Sequence, residues 1–135
     1  LKDNKLMPRD STTNANELSL VVRLDYGEFS ALFTGDIGIT SEKIILENNK
    51  DLNCNLLKVA HHGSKYSSDK NFVEAAEPNM SVISVGRNRY GHPSPETIER
   101  IADQGSKIYQ TVNSGGILVE VWERETRMRV TTVVQ

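Results

Sequence analysis

The sequence LKVAHHGS, residues 57–64, is the starting point for the fold that we predict for this chain. It belongs to an apolar segment, residues 55–60, that predicts a buried strand. The strand passes directly into two adjacent histidines, and two large polar rings side by side are a poor choice for simple packing. The segment therefore predicts a buried strand with chemically active side chains at its end.

Similar apolar runs on both sides of this segment predict further strands and helices. The predicted strands are residues 18–24, 28–34, 55–60, 80–85, 107–111, 116–122 and 128–134. The predicted helices are residues 41–48, 69–77 and 94–105, with Ser41, Ser68 or Asp69, and Ser94 as capping residues. This alternation, framed by hairpins, predicts an α/β layered domain with a mixed sheet over residues 18–135, after a polar linker over residues 1–17.

Composition narrows the class of protein. A length of 135 residues suits one domain, and 16 basic against 18 acidic residues exclude a strongly basic nucleic-acid coat. The single cysteine, Cys54, excludes an intrachain disulfide framework and a cysteine-rich zinc site. No apolar run approaches the roughly 18 residues that cross a bilayer, so we expect no spanning segment in this chain. Because it begins at Leu1 and not at Met, we expect it to be a piece of a longer polypeptide.

Potential ligands or proton carriers follow three of the predicted strands. Asp36 ends the sequence Thr-Gly-Asp, His61 and His62 are adjacent, and His92 precedes a proline. Taken singly, a Gly-Asp pair is usually a turn and a histidine beside proline is usually a loop residue. Ligands of α/β sheets bind at the carboxyl ends of the strands, where these side chains converge if the strands are parallel. The joint pattern therefore predicts a metal or acid–base site, and carboxylate with imidazole suits zinc, manganese or iron.

Four motifs in this order resemble the metallo-β-lactamase fold. They are Asn16-x-x-Ser19, LFTGD at residues 32–36, LKVAHHGS at residues 57–64 and NRYGHP at residues 88–93. More narrowly, they resemble the domain at the C-terminal end of ComEC-type competence proteins, which take up DNA. The resemblance covers roughly residues 14–121 and implies the C-terminal half of an αββα sandwich.

The resemblance implies a role for each matching residue. Asp36 corresponds to a carboxylate that bridges two metal ions, Zn²⁺ or Mn²⁺, and His92 to the histidine that completes the second metal's shell. His61 or His62 would be the proton donor to the leaving oxygen, although one of them could be a ligand instead. Asn16 and Ser19 stand where many relatives have another metal-binding histidine, so that ligand is missing here.

One departure from the family pattern affects the expected activity. The fold normally begins with a His-x-His-x-Asp-His segment, whereas this chain has no histidine before His61. We therefore expect residues 1–135 alone to bind metal weakly or not at all. The resemblance implies a metal-dependent phosphodiesterase or nuclease only in a longer protein. The alternative is a non-catalytic module that binds DNA or a protein partner.

Basic and aromatic residues beside the motifs suggest contacts with DNA. Lys65, Arg87 and Arg89 could hold phosphates, and Tyr90 could stack on a base, although an ordinary solvated loop would also carry such residues. The resemblance further implies that this domain lies outside the cytoplasm and is attached to a larger, membrane-embedded polypeptide.

Overall fold

The computed structural model of the chain describes residues 14–48, 51–122 and 127–133. Most of the predicted linker, residues 1–13, lies outside the described residues, as does residue 134 of the last predicted strand. The strands are β1 (Val22–Tyr26), β2 (Phe29–Phe33), β3 (Leu56–Lys58), β4 (Met80–Ile83), β5 (Lys107–Gln110), β6 (Gly116–Trp122) and β7 (Arg127–Val133). The α-helices are α1 (Ile39–Asn48), α2 (Lys70–Ala76), α3 (Pro95–Asp103) and the short α4 (Thr111–Ser114), and 3₁₀ helices cover Ala15–Leu18 and Ala60–Gly63.

The main sheet is mixed and has the order β1-β2-β3-β4-β5. β1 and β2 form an antiparallel hairpin, and β2, β3, β4 and β5 run parallel to their neighbours. The predicted α/β class with a mixed sheet is confirmed. The last two strands differ from a single-sheet arrangement, because β6 and β7 pair with each other in a separate two-stranded sheet.

Two apolar clusters lie on opposite faces of the main sheet. Leu57 of β3 belongs to the cluster with Phe72 of α2 and Ile101 of α3. Its neighbour Leu56 belongs to the other cluster, together with residues of β6 and β7 such as Val119. Successive side chains of a strand point to opposite faces, so the pair Leu56-Leu57 packs the helices on one side and the β6–β7 hairpin on the other.

Two of the three predicted helix starts are confirmed. The side chain of Asp69 accepts a hydrogen bond from the backbone N–H of Asn71 at 3.1 Å, which caps α2. Ser94 Oγ accepts from the backbone N–H of Thr97 at 3.2 Å and caps α3, with Pro95 in the first turn.

The third predicted cap, Ser41, is wrong. α1 begins at Ile39, and Ser41 is a buried residue inside the helix. The acceptor at this helix start is the carboxylate of Glu17, whose Oε2 receives the backbone N–H groups of Gly38 at 3.3 Å and Ser41 at 2.9 Å. Glu17 lies in the 3₁₀ helix Ala15–Leu18 and ties it to α1, and the strand predicted over residues 18–24 begins only at Val22.

No helix among the residues described is both long and apolar enough to cross a lipid bilayer.

Candidate active site at the carboxyl edge of the sheet

The predicted site residues meet at the edge of the sheet where the parallel strands end. Asp36 follows β2, His61 and His62 follow β3, and His92 lies in the loop after β4. Backbone hydrogen bonds join these loops: the N–H of His61 donates to the carbonyl of Gly35 at 3.1 Å, and the N–H of Ser94 donates to the carbonyl of Gly63 at 2.8 Å. The loops therefore form one connected edge, so the side chains on them keep a fixed arrangement.

The two adjacent histidines lie in a left-handed turn. The φ angles of His61, His62 and Gly63 are 48°, 55° and 81°. Glycine is required at the third position, because a Cβ added there would lie 2.6 Å from the Cβ of Pro93. In this turn the two neighbouring imidazoles have different partners.

His62 is held between a backbone carbonyl and Asp36. Its Nδ1 lies 2.6 Å from the carbonyl oxygen of Ser84, which can only accept, so Nδ1 carries a proton. The other ring nitrogen, Nε2, lies 3.7 Å from Asp36 Oδ1, too far for a direct hydrogen bond. Both side chains are about half exposed. The Ser84 carbonyl thus fixes the tautomer of His62 and leaves Nε2 facing the carboxylate in the open site.

His61 has a different environment from His62. Its Nε2 lies 3.3 Å from Asn16 Nδ2, and its ring packs edge-on against His92 with the centroids 5.6 Å apart. Asn16 therefore reaches the site from the 3₁₀ helix at residues 15–18. Ser19 lies just behind, where a Cβ added to Gly35 would be 2.8 Å from the Ser19 Cβ.

The backbone of His92 is held by hydrogen bonds, and the surroundings of its ring disfavour a positive charge. Burial, with smaller contributions from His61 and His62, lowers its pKa below the usual 6.5. Its Nδ1 is buried and has no hydrogen-bond partner in the part of the chain that the structure describes. Asn88 holds its backbone on both sides, since the side-chain oxygen accepts from the N–H of His92 at 3.1 Å and Nδ2 donates to its carbonyl at 2.7 Å.

An open groove of about 540 Å³ runs beside the histidines. It contains two of the four predicted substrate-binding residues, Arg87 and Tyr90; Lys65 and Arg89 are not among its lining residues. Lys65 instead places its ammonium 5.1 Å from the centre of the Tyr66 ring. The groove is lined by His62, Ser84, Val85, Gly86, Arg87, Asn88, Tyr90, His92 and Thr111.

The side chains that the structure describes at this edge supply part of the ligand set of a metal site. Asp36 and His62 have the right chemistry, and a carbonyl on Nδ1 is the usual support of a metal-binding histidine. Asp36 with His92 stays the predicted ligand pair, and the His92 ring contacts the rings of His61 and Tyr90. Within residues 14–48, 51–122 and 127–133 no three His, Cys, Asp or Glu side chains are grouped to hold an ion, whereas a catalytic zinc uses three protein ligands.

Comparison with known proteins finds relatives among competence proteins. The chain is 31% identical over 103 residues to ComE operon protein 3 of Bacillus subtilis, an alignment that covers 76% of this chain and 13% of that protein. It is 33% identical over 104 residues to competence protein ComA of Neisseria gonorrhoeae, covering 76% of this chain and 15% of that protein. The chain is related to competence proteins.

A third relative extends the same similarity. Recombination protein 2 of Haemophilus influenzae is 32% identical over 120 residues, which cover 87% of this chain and 15% of that protein. The chain thus matches only 13–15% of the length of these three curated relatives of the competence group. No protein-family model matches it, and no solved structure does.

Three site residues of this competence-protein relative were not assigned a role from the sequence. Asn88 lies in the NRYGHP motif. An asparagine two residues before Tyr90-Gly91 is typical of an Asx turn, and this pattern could have predicted its role in holding the loop. Ser84 acts through its backbone carbonyl, which every residue type possesses, so the sequence carries no signal for it. Thr111, the first residue of α4, lines the groove and accepts from the N–H of Val85 at 2.7 Å, a contact between distant parts of the chain.

Proposed function

We propose that this chain is part of the hydrolase module of a competence protein and that the module cleaves phosphodiester bonds in DNA. The observation that carries the proposal is His62, with Nδ1 fixed on the Ser84 carbonyl and Nε2 facing Asp36. A carboxylate, an oriented imidazole and two further histidines at one open edge are the groups that acid–base hydrolysis needs. The names of the relatives support the competence role.

In this proposal His62 is the proton carrier of the site. The Ser84 carbonyl accepts from Nδ1–H in both protonation states of the ring, so Nε2 is the atom that gains and loses a proton. Asp36 attracts positive charge at Nε2 across 3.7 Å. His62 therefore gives the proton to the leaving oxygen, and His61, which contacts Asn16 and His92, orients the edge.

Metal binding belongs to the complete protein in this proposal. We assign Asp36 and His92 as this chain's contributions to a Zn²⁺ or Mn²⁺ site, with the remaining ligands supplied from outside the described residues. Because the described residues offer no group of three ligands, we expect residues 1–135 alone to bind either ion weakly. We further propose that the domain lies outside the cytoplasm as part of a larger, membrane-embedded polypeptide.

The proposal is tested by Asp36→Asn in the natural protein that contains these residues. We expect loss of cleavage of linear DNA in the presence of manganese or zinc, because a neutral amide replaces the only charge beside His62 Nε2 that the structure records. His62→Ala should lower the rate roughly 10²–10⁴-fold. The assay follows DNA cleavage, with the metal content of each variant measured in parallel.

Asp103→Asn is the matched control, since Asp103 is an exposed residue at the end of α3, away from the site. It should cleave DNA like the wild type. Wild-type cleavage by Asp36→Asn contradicts the proposal.

A second candidate function is a DNA-binding module without hydrolysis. The observation in its favour is the groove, where Arg87 and Tyr90 lie beside the candidate site. The second candidate is supported if the well-folded natural protein binds DNA but does not cleave it, whichever divalent metal is added.

A further inference from the structure

The groove beside the histidines has an unusual combination of walls. Its volume of about 540 Å³ lies within the range of roughly 300–1,000 Å³ that small-molecule sites occupy. Val85 and Gly86 give it an apolar floor, and its only formally charged side chain among the described residues that line it is Arg87. These walls suit a flat, largely apolar group that carries a negative charge nearby.

Tyr90 offers that flat group a stacking surface. The residue is 84% exposed, so most of its ring is uncovered. The ring is nevertheless positioned: it stacks on His92 with the centroids 6.0 Å apart and the planes 26° apart. Asn88 also holds the loop, accepting from the N–H of Tyr90 at 3.0 Å and donating to the carbonyl of Gly86 at 2.9 Å. An exposed aromatic ring on a braced loop is a prepared stacking platform, not a loop that collapsed on the surface.

We propose that this groove binds one unpaired base of a DNA strand, stacked on Tyr90, with the adjoining phosphodiester at the edge formed by Asp36 and His62. The inference rests on the proposed function and adds to it the form of the substrate. Both faces of a base inside a duplex are covered by its neighbours, so only an unpaired base can enter the groove. Single-stranded DNA is therefore the preferred substrate, and Arg87 contributes attraction to the phosphates.

Binding is measured by fluorescence anisotropy in EDTA, without hydrolysis. The probes are a short oligothymidylate, an abasic strand with the same phosphates, and a blunt duplex. The oligothymidylate should bind roughly 10- to 100-fold more tightly than the abasic strand, because stacking is what the abasic strand lacks. Tyr90→Ala should abolish this difference, and Tyr90→Phe should retain it because the ring is kept.

Gly86 provides a second, independent variant. A Cβ added there meets no atom within 4 Å, so Gly86→Leu fills the groove without a clash at its Cβ. It should remove the preference for bases while leaving binding of the abasic strand unchanged. Gly116→Leu on β6 is the matched control, since its Cβ makes only an ordinary contact with Val133 at 3.8 Å; this variant should bind like the wild type.

Three results overturn the proposal: equal binding of the oligothymidylate and the abasic strand, a base preference that survives Tyr90→Ala, or no binding of any strand. A cleavage assay on the same proteins separates this proposal from the function it rests on. Cleavage without base-dependent binding contradicts the proposed base-binding role of the groove and is consistent with the proposed hydrolase function. Base-dependent binding without cleavage in the natural protein contradicts the proposed hydrolase function and supports the base-binding role of the groove.

Discussion

His61 and His62 occupy a conformation that residues with a Cβ avoid. Their φ angles of 48° and 55° are left-handed, which costs an L-residue roughly 1–2 kcal/mol. Glycine takes the same conformation with little penalty. The histidines therefore lower the stability of the turn. In return they place functional groups at the site, since the His61 ring packs against His92 and the His62 ring faces Asp36.

Replacing His61 by glycine should not destabilise the protein. We expect His61→Gly to match the wild type or exceed it by up to about 1 kcal/mol in free energy of unfolding, because relief of the left-handed strain offsets the greater freedom of glycine in the unfolded chain. Urea denaturation measures this. His92→Gly is the control, since His92 is not among the positive-φ residues and gains no relief. Equal destabilisation by both variants contradicts the prediction.

At the scale of elements, a buried carboxylate joins two helices. Glu42 of α1 is fully buried and accepts the backbone N–H groups of Ser68 at 2.5 Å and Asp69 at 2.8 Å, just before α2 begins. These bonds stabilise the charged form, but burial is the larger effect and raises the pKa of Glu42 to about 6 from an ordinary value of 4.5. The α1–α2 contact is therefore sensitive to pH.

The sign of this sensitivity follows from the raised pKa. The folded state holds the proton more tightly than the unfolded state, so the contribution of Glu42 is full below pH 4.5 and is lost as pH rises through about 6. The loss amounts to about 2 kcal/mol. Urea denaturation across this range should show the decline in wild type relative to Glu42→Gln. Glu47→Gln, an exposed change on the same helix, should follow the wild type, and parallel curves for wild type and Glu42→Gln contradict the prediction.

Elements that depend on nearby residues were predicted well from the sequence, whereas elements that depend on distant residues were not. The apolar run before His61 and the caps Asp69 and Ser94 act within a few residues, so the sequence around them was sufficient. The start of α1 depends on Glu17, which lies 24 positions before Ser41, and local sequence does not reveal such a partner. The strand-end positions predicted that Asp36 and the histidines converge. The contacts of each imidazole ring depend on a left-handed turn, and a pair of histidines in the sequence does not predict its φ angles.

At the scale of the whole molecule, one part of the sheet surface is exposed among the described residues. Every residue of the edge strand β1 is exposed, and Leu24 and Tyr26 line an apolar groove of about 260 Å³ with Phe33 and residues of β6. The β6–β7 hairpin covers the same face farther along, over Met80. An edge strand with an apolar face is prone to pair with another chain.

The isolated chain should therefore self-associate as its concentration rises. We expect Leu24→Lys to reduce the association, because Leu24 is 50% exposed and a charge there opposes both strand pairing and apolar contact. Sedimentation velocity over a concentration series measures it. Thr132→Lys adds the same charge at an exposed position on β7 and should associate like the wild type. A wild type that stays monomeric throughout contradicts the expectation.

The chain contains three histidines in all, and all three lie at the candidate site. Selective ¹⁵N labelling of histidine side chains therefore gives an NMR spectrum of the site alone, without signals from the rest of the domain. The Nδ1–H of His62 donates to the Ser84 carbonyl at 2.6 Å and is the signal to follow. The chemical shift of this signal reports whether the site is assembled, and the measurement requires no substrate.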